Sequence, residues 1–135
     1  MSKRAARRAA VQLTYEHLLG GEGGDDTLFG LIEYPRNDED LSFLYELFNG
    51  SVENQKQFDL LISKLSPKRE LDRIPALVHA ALLVALYEIE YQKDASNAVI
   101  INEAIEIIKR FSEPYEAKFA NGLLGSYVRK NETDV

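Results

Sequence analysis

Apolar residues recur along this chain at helical spacing, and no stretch alternates convincingly between apolar and polar at period two. A first helix is predicted from about Lys3 to Leu19, closed by the glycines of GGEGG at 20–24, which no helix tolerates. A short second helix fits about 26–33, with Asp25 or Asp26 as its cap and Pro35 limiting its length. From Asp40 to Leu65 the apolar positions form two stripes: Leu41, Leu44, Tyr45, Leu47, Phe48 and Val52, then Phe58, Leu61, Ile62 and Leu65. Their phase changes near Gly50, so a long helix bent there is expected.

The segment SPKRELDRIP, 66–75, is a turn-rich connector and the expected junction between two sub-bundles of one domain, 1–135. Beyond it, 76–91 is apolar nearly all round, through Leu77, Val78, Leu82, Leu83, Val84, Leu86 and Ile89. A helix without a polar face belongs at the centre of a bundle. SNAVIINEAIEIIKRF then sets Ile100, Ala104, Ile107, Ile108 and Phe111 on one side against Glu103, Glu106 and Arg110 on the other. Glu106 and Arg110 have the favourable i, i+4 order for a helix ion pair. After Ser112 as cap, a last helix of about 114–129 accommodates Pro114 in its first turn. The pattern describes an all-α protein of six or seven helices in two packed groups.

Composition narrows the chemistry. The 135 residues contain no cysteine, which removes disulfides, thiolate nucleophiles and cysteine metal sites. Only His17 and His79 could offer imidazole, neither in a ligand spacing, and His79 reads as a core or boundary residue of an apolar helix. GGEGG is followed by no Gly-Lys-Ser/Thr and is no phosphate cradle. Nothing calls for a metal, a cofactor or catalysis, so a non-enzymatic role is expected. MSKRAARRAAVQ lacks the apolar region of a secretory signal, and the longest apolar run falls short of the ~20 residues of a membrane span. A cytoplasmic location is the expectation.

Net charge is −6, unevenly spread. Lys3, Arg4, Arg7 and Arg8 face only Glu16 in the first 19 residues, whereas 20–60 holds ten acids against Arg36 and Lys56. A local basic footprint on an acidic body can govern encounter with an anion. Arg4, Arg7 and Arg8 stand at i, i+3 and i+4 in the first turns of a helix, where the macrodipole disfavours cations. Val11 and Tyr15 continue the stripe. Clustered arginines suit phosphates, and a tyrosine beside them can stack on an unpaired base. A charged end that only keeps the protein soluble is the alternative. In AKFANGLLGSYVRK, Gly122 and Gly125 each cost a helix interior about 1 kcal/mol, which points to close approach of another helix. Lys118 and Asn121 lie on the side of Gly122, where a ligand could also reach the backbone. Phe119, beside Leu123, fits either a core or a stacking surface.

LYEI at 86–89, AVIINEAIEIIKRF at 98–111 and KFANGLL at 118–124 together resemble the C-terminal signature of the NusB family, with matching spacings. SKRAARRAAVQLTYE resembles that family's arginine-rich first helix, and LYELFNGSVENQKQFDLLI at 44–62 its third. The resemblance covers nearly the whole chain apart from 20–40. It implies two packed three-helix bundles and a transcription antitermination factor. Its partners would be boxA-type single-stranded RNA, the ribosomal protein NusE and the elongation complex during ribosomal RNA transcription. It leaves a homodimer open. Carried over by position, the RNA candidates are Arg4, Arg7, Arg8, Tyr15, Lys118 and Phe119, with Asn121 beside them. The chain departs from the family pattern at Val78, His79 and Leu83, where charged residues of the protein-partner face usually stand, and it lacks the tryptophan just upstream. A bundle of this core that keeps protein contacts without RNA is the alternative.

Overall fold

The computed structural model describes residues 3–21, 38–92 and 95–133, and every regular element within them is helical. They are α1 (Lys3–Leu18), α2 (Asp38–Glu53), α3 (Gln55–Leu65), a 3₁₀ turn (Leu71–Arg73), α4 (Ala76–Tyr87), a π-helical turn (Glu88–Gln92), α5 (Asn97–Phe111) and α6 (Pro114–Thr133). The helix expected at 26–33, with its cap and Pro35, lies outside the described residues.

α4 is the hub its composition predicts. Val78 and every residue from Ala80 to Leu86 are buried, and α4 packs against each of the other five helices. Burial of a leucine-sized side chain contributes roughly 1.5–3 kcal/mol, so this helix supplies much of the drive to fold. α1 and α2 pair and lie against α4, as do α5 and α6. α1 comes close because Ala5, Ala6, Ala9 and Ala10 form its buried face. One apolar cluster runs through all six helices.

Four expectations need correction. The helix starting near Asp40 does not bend at Gly50 but breaks at Asn54, whose side-chain amide donates to the Gly50 carbonyl at 2.8 Å. Gly50 remains helical because it is where the backbone approaches a neighbour: a Cβ there would overlap the Tyr87 ring. Gly122 and Gly125, by contrast, admit no partner helix. Nothing lies within 4 Å of a Cβ built on Gly122, and on Gly125 it would meet only Arg129 of the same helix. The last helix also runs past the predicted 129 to Thr133. In α5, Glu106 pairs weakly with Lys109 at 3.9 Å rather than with Arg110, whose guanidinium lies over Phe111.

The turn that follows α4 ties the two ends of the bundle together. Glu88 and Glu90, two residues apart, project roughly oppositely, toward α1 and α6 respectively. Tyr127 of α6 is buried and donates a short hydrogen bond to Glu90. Burial first, and then this bond, push the Tyr127 hydroxyl up to about 12. Burial also raises Tyr87.

Gly50→Ala should destabilise the fold by about 1–3 kcal/mol through overpacking on Tyr87. Gly122→Ala should stabilise it by about 0.5–1 kcal/mol, because the added methyl meets open space. Urea unfolding of the two variants checks both signs. An unfolded tyrosine ionises near pH 10, below the folded Tyr127, so the native state holds this proton more tightly. That contribution is complete below about pH 10 and is lost as pH rises toward 12. Melting temperatures of Tyr127→Phe should therefore fall less steeply than wild type over this window, with Tyr87 leaving a residual slope.

Candidate nucleic-acid interface

The structure divides the sequence-derived cations into structural and available ones. Arg7 is 7% exposed. Its Nε and Nη2 donate to Glu88 Oε1 and Oε2 at 2.7 and 2.6 Å, a bidentate pair in which Glu88 is 1% exposed. These bonds raise the arginine's pKa further, and the guanidinium lies 5.6 Å from the centre of the Phe43 ring. Arg7 is therefore no surface residue of an exposed helix start, and it does not point outward with Arg4 and Arg8. The stripe of Arg4, Arg7, Arg8, Val11 and Tyr15 is thus not one available face, because its inner edge enters the core: Val11 is buried with Arg7.

Arg4 reaches the carboxylate of Glu103 on α5, with Nε 3.2 Å from each oxygen, while more than half of its side chain stays exposed. Such a half-exposed pair is worth ~0–1 kcal/mol and leaves the guanidinium able to exchange partners. Arg8 is half-buried and makes no ion pair with a described residue. Tyr15 is half-buried and packs on the core.

At the other end of the chain, Lys118 and Asn121 are exposed on α6 and share a cleft of roughly 600 Å³ with Asn102 and Lys109 of α5. Glu103, which holds Arg4, directly follows Asn102 in α5. Lys118 also lines a second cleft on its other side, with Phe119 and Gly122. Phe119 is half-buried, and its ring is covered by the Arg69 guanidinium, 4.5 Å from the ring centre. No described cleft contains both Tyr15 and Phe119.

Val78 and Leu83 are fully buried in α4 and present no surface. His79 is largely buried, as expected, and its Nε2 lies 2.5 Å from Asp59 Oδ1 on α3, at a cleft also lined by Glu70 and Asp72. Among the described residues, no group of three or more His, Cys, Asp or Glu is placed to hold a metal ion, and no helix is long and apolar enough to cross a membrane.

Sequence reasoning missed the carboxylates that consume the arginines. Glu88, a charge at the end of an apolar helix, was the legible signal, since a buried carboxylate requires a cation. Arg69, inside a mixed-charge connector, gave none.

Residues 4–129 match the model of the NusB family. The chain is 36% identical to the transcription antitermination protein NusB of Shewanella amazonensis over 132 residues, covering 96% of both chains. It superposes on the solved structure of T. maritima NusB with a TM-score of 0.84 at 26% identity, over 100% of this chain and 99% of that one. It has the fold of the NusB in a crystal structure of NusB and NusE with double-stranded RNA, with a TM-score of 0.79, 20% identity and coverage of 91% and 92%.

Breaking one side of a buried ion pair costs about 3–5 kcal/mol, whereas replacing both partners by apolar residues of similar volume is often neutral. Arg7→Ala should accordingly lower the melting transition strongly, and Arg7→Met with Glu88→Leu should recover most of the loss. Arg8→Ala should melt close to wild type. Thermal unfolding of the three separates the structural arginine from the peripheral one.

Proposed function

The chain belongs to the NusB family, and on that premise we propose that it is an RNA-binding transcription antitermination factor. It binds boxA-type single-stranded RNA together with NusE in the elongation complex, in the cytoplasm, and is neither an enzyme nor dependent on a cofactor. The family match over residues 4–129 carries this reading, because it spans both the cationic start of α1 and the Lys118–Asn121 segment. A protein of this fold has been solved with NusE and double-stranded RNA, which supports NusE and an RNA as the classes of partner here.

The geometry favours a particular division of roles. Arg4, Arg8 and Lys118 meet phosphates, Asn121 offers an exposed amide, Tyr15 contributes the exposed part of a half-buried ring, and Phe119 acts from beneath the Arg69 guanidinium that covers it. Arg7 holds α1 in place instead. Because the chain is acidic overall, attraction depends on these local cations and weakens as salt screens them.

Fluorescence anisotropy with a boxA-type RNA and an unrelated RNA of equal length, at two salt concentrations, tests the reading. The boxA RNA should bind more tightly, and added NusE should strengthen it. Lys118→Ala and Arg4→Ala should each weaken binding and flatten the log–log salt dependence by up to ~0.7 per lost phosphate contact. Absence of RNA binding alongside intact NusE binding would instead identify a protein-interaction module.

A further inference from the structure

Arg69 was not among the sequence candidates, yet its guanidinium is among the most firmly held side chains on the surface. Nη1 and Nη2 donate to the two oxygens of Glu116 at 2.7 and 2.8 Å, and Nη2 also donates to the Arg73 carbonyl at 3.1 Å. Glu116 is 1% exposed, so it cannot be left without this partner. One face of the guanidinium lies on Phe119, while a quarter of the Arg69 side chain remains accessible.

That accessible part belongs to the second cleft beside Lys118. This cleft, of roughly 570 Å³, lies between the connector after α3 and the middle of α6, with Lys68, Arg69, Lys118, Phe119, Gly122 and Ser126 among its walls. Among the described residues no carboxylate lines it, and the nearby Glu116 is already neutralised by Arg69. Lys68 and Lys118 are exposed and make no ion pair with a described residue. Gly122 keeps its mouth open: the residue is exposed and has no neighbour within 4 Å of a Cβ position. A glycine here costs the helix about 1 kcal/mol and serves no packing purpose, which is the expected signature of backbone kept clear for a ligand.

We propose that this cleft is a nucleotide subsite on the RNA path, in which an unpaired base stacks on the Phe119-backed guanidinium of Arg69 and Lys68 and Lys118 hold the flanking phosphates. The inference rests on the RNA-binding reading above and extends it to the connector. A planar cation fixed by three hydrogen bonds is already ordered before the base arrives, and guanidinium planes stack on bases as aromatic rings do. A base that reached Phe119 directly would have to expel Arg69 and strand Glu116, so stacking on the outer face of Arg69 is the arrangement that leaves the ion pair intact.

The test titrates a boxA-type single-stranded RNA into the full chain and its variants Lys68→Ala, Arg69→Lys, Gly122→Gln and Lys118→Ala, with melting temperatures measured alongside. Arg69→Lys keeps a cation beside Glu116 but loses the plane, and should weaken binding about fivefold or more, the size of a lost stack. Gly122→Gln, which fills the mouth, should weaken binding several-fold with little change in melting. Lys68→Ala should weaken it and flatten the salt dependence by up to ~0.7. An RNA carrying 4-thiouridine should crosslink to the peptide containing residues 66–69. If Arg69→Lys melts early, Lys68→Ala, Gly122→Gln and the crosslink decide. Wild-type affinity in those two variants without a crosslink, while Lys118→Ala still weakens binding, overturns the subsite and leaves the RNA-binding reading standing. Failure of the wild-type chain to bind RNA overturns both.

Discussion

The bidentate ion pair between Arg7 and Glu88 constrains how this bundle is assembled. It joins the first helix to the turn after the central one, across a sequence separation of 81, and neither partner has water to fall back on. The alanine face of α1 could slide along α2 and α4 with modest loss, since small residues interlock weakly. A buried guanidinium cannot slide, because any shift leaves two uncompensated charges in the core, at several kcal/mol. The pair therefore sets the register of α1. Everything that α1 presents at its surface, Arg4 and Arg8 included, takes its position from that setting.

The same device recurs. Glu103 is met by Arg4 and Glu116 by Arg69, each carboxylate largely buried and each arginine reaching it from a distant segment. In an acidic chain this arrangement has a consequence for recognition. Arg4, Arg7 and Arg69 are engaged with these carboxylates, so an incoming anion meets Arg8 and the lysines at 68, 109 and 118 more directly. Local potential near α6 is thus shaped by which carboxylates are already satisfied, and net charge says little about it.

The glycines sort by the same logic of occupied and open space. Gly50 is required by the Tyr87 ring against it, a packing constraint deep in the N-terminal half. Gly122 faces open space beside Lys118 and Phe119, so its missing side chain has meaning only for something that comes from outside. Both look alike as glycines inside helical periodicity. They differ only in what other segments bring to them.

The sequence by itself determined the helices and the hub. Apolar spacing located α1, α4, α5 and α6 within a few residues, and the all-round apolarity of α4 placed it at the centre, because burial preferences act residue by residue along a continuous stripe. The motifs around LYEI, INEA and KFANG carried the family. Only the tertiary structure decided the fate of individual polar residues. Nothing local distinguishes Arg7, which is sealed inside, from Arg8, which is not, or marks Arg69 as the cover of Phe119. A charge is buried or exposed according to whether a partner from far along the chain arrives to neutralise it, and periodicity carries no information about that meeting.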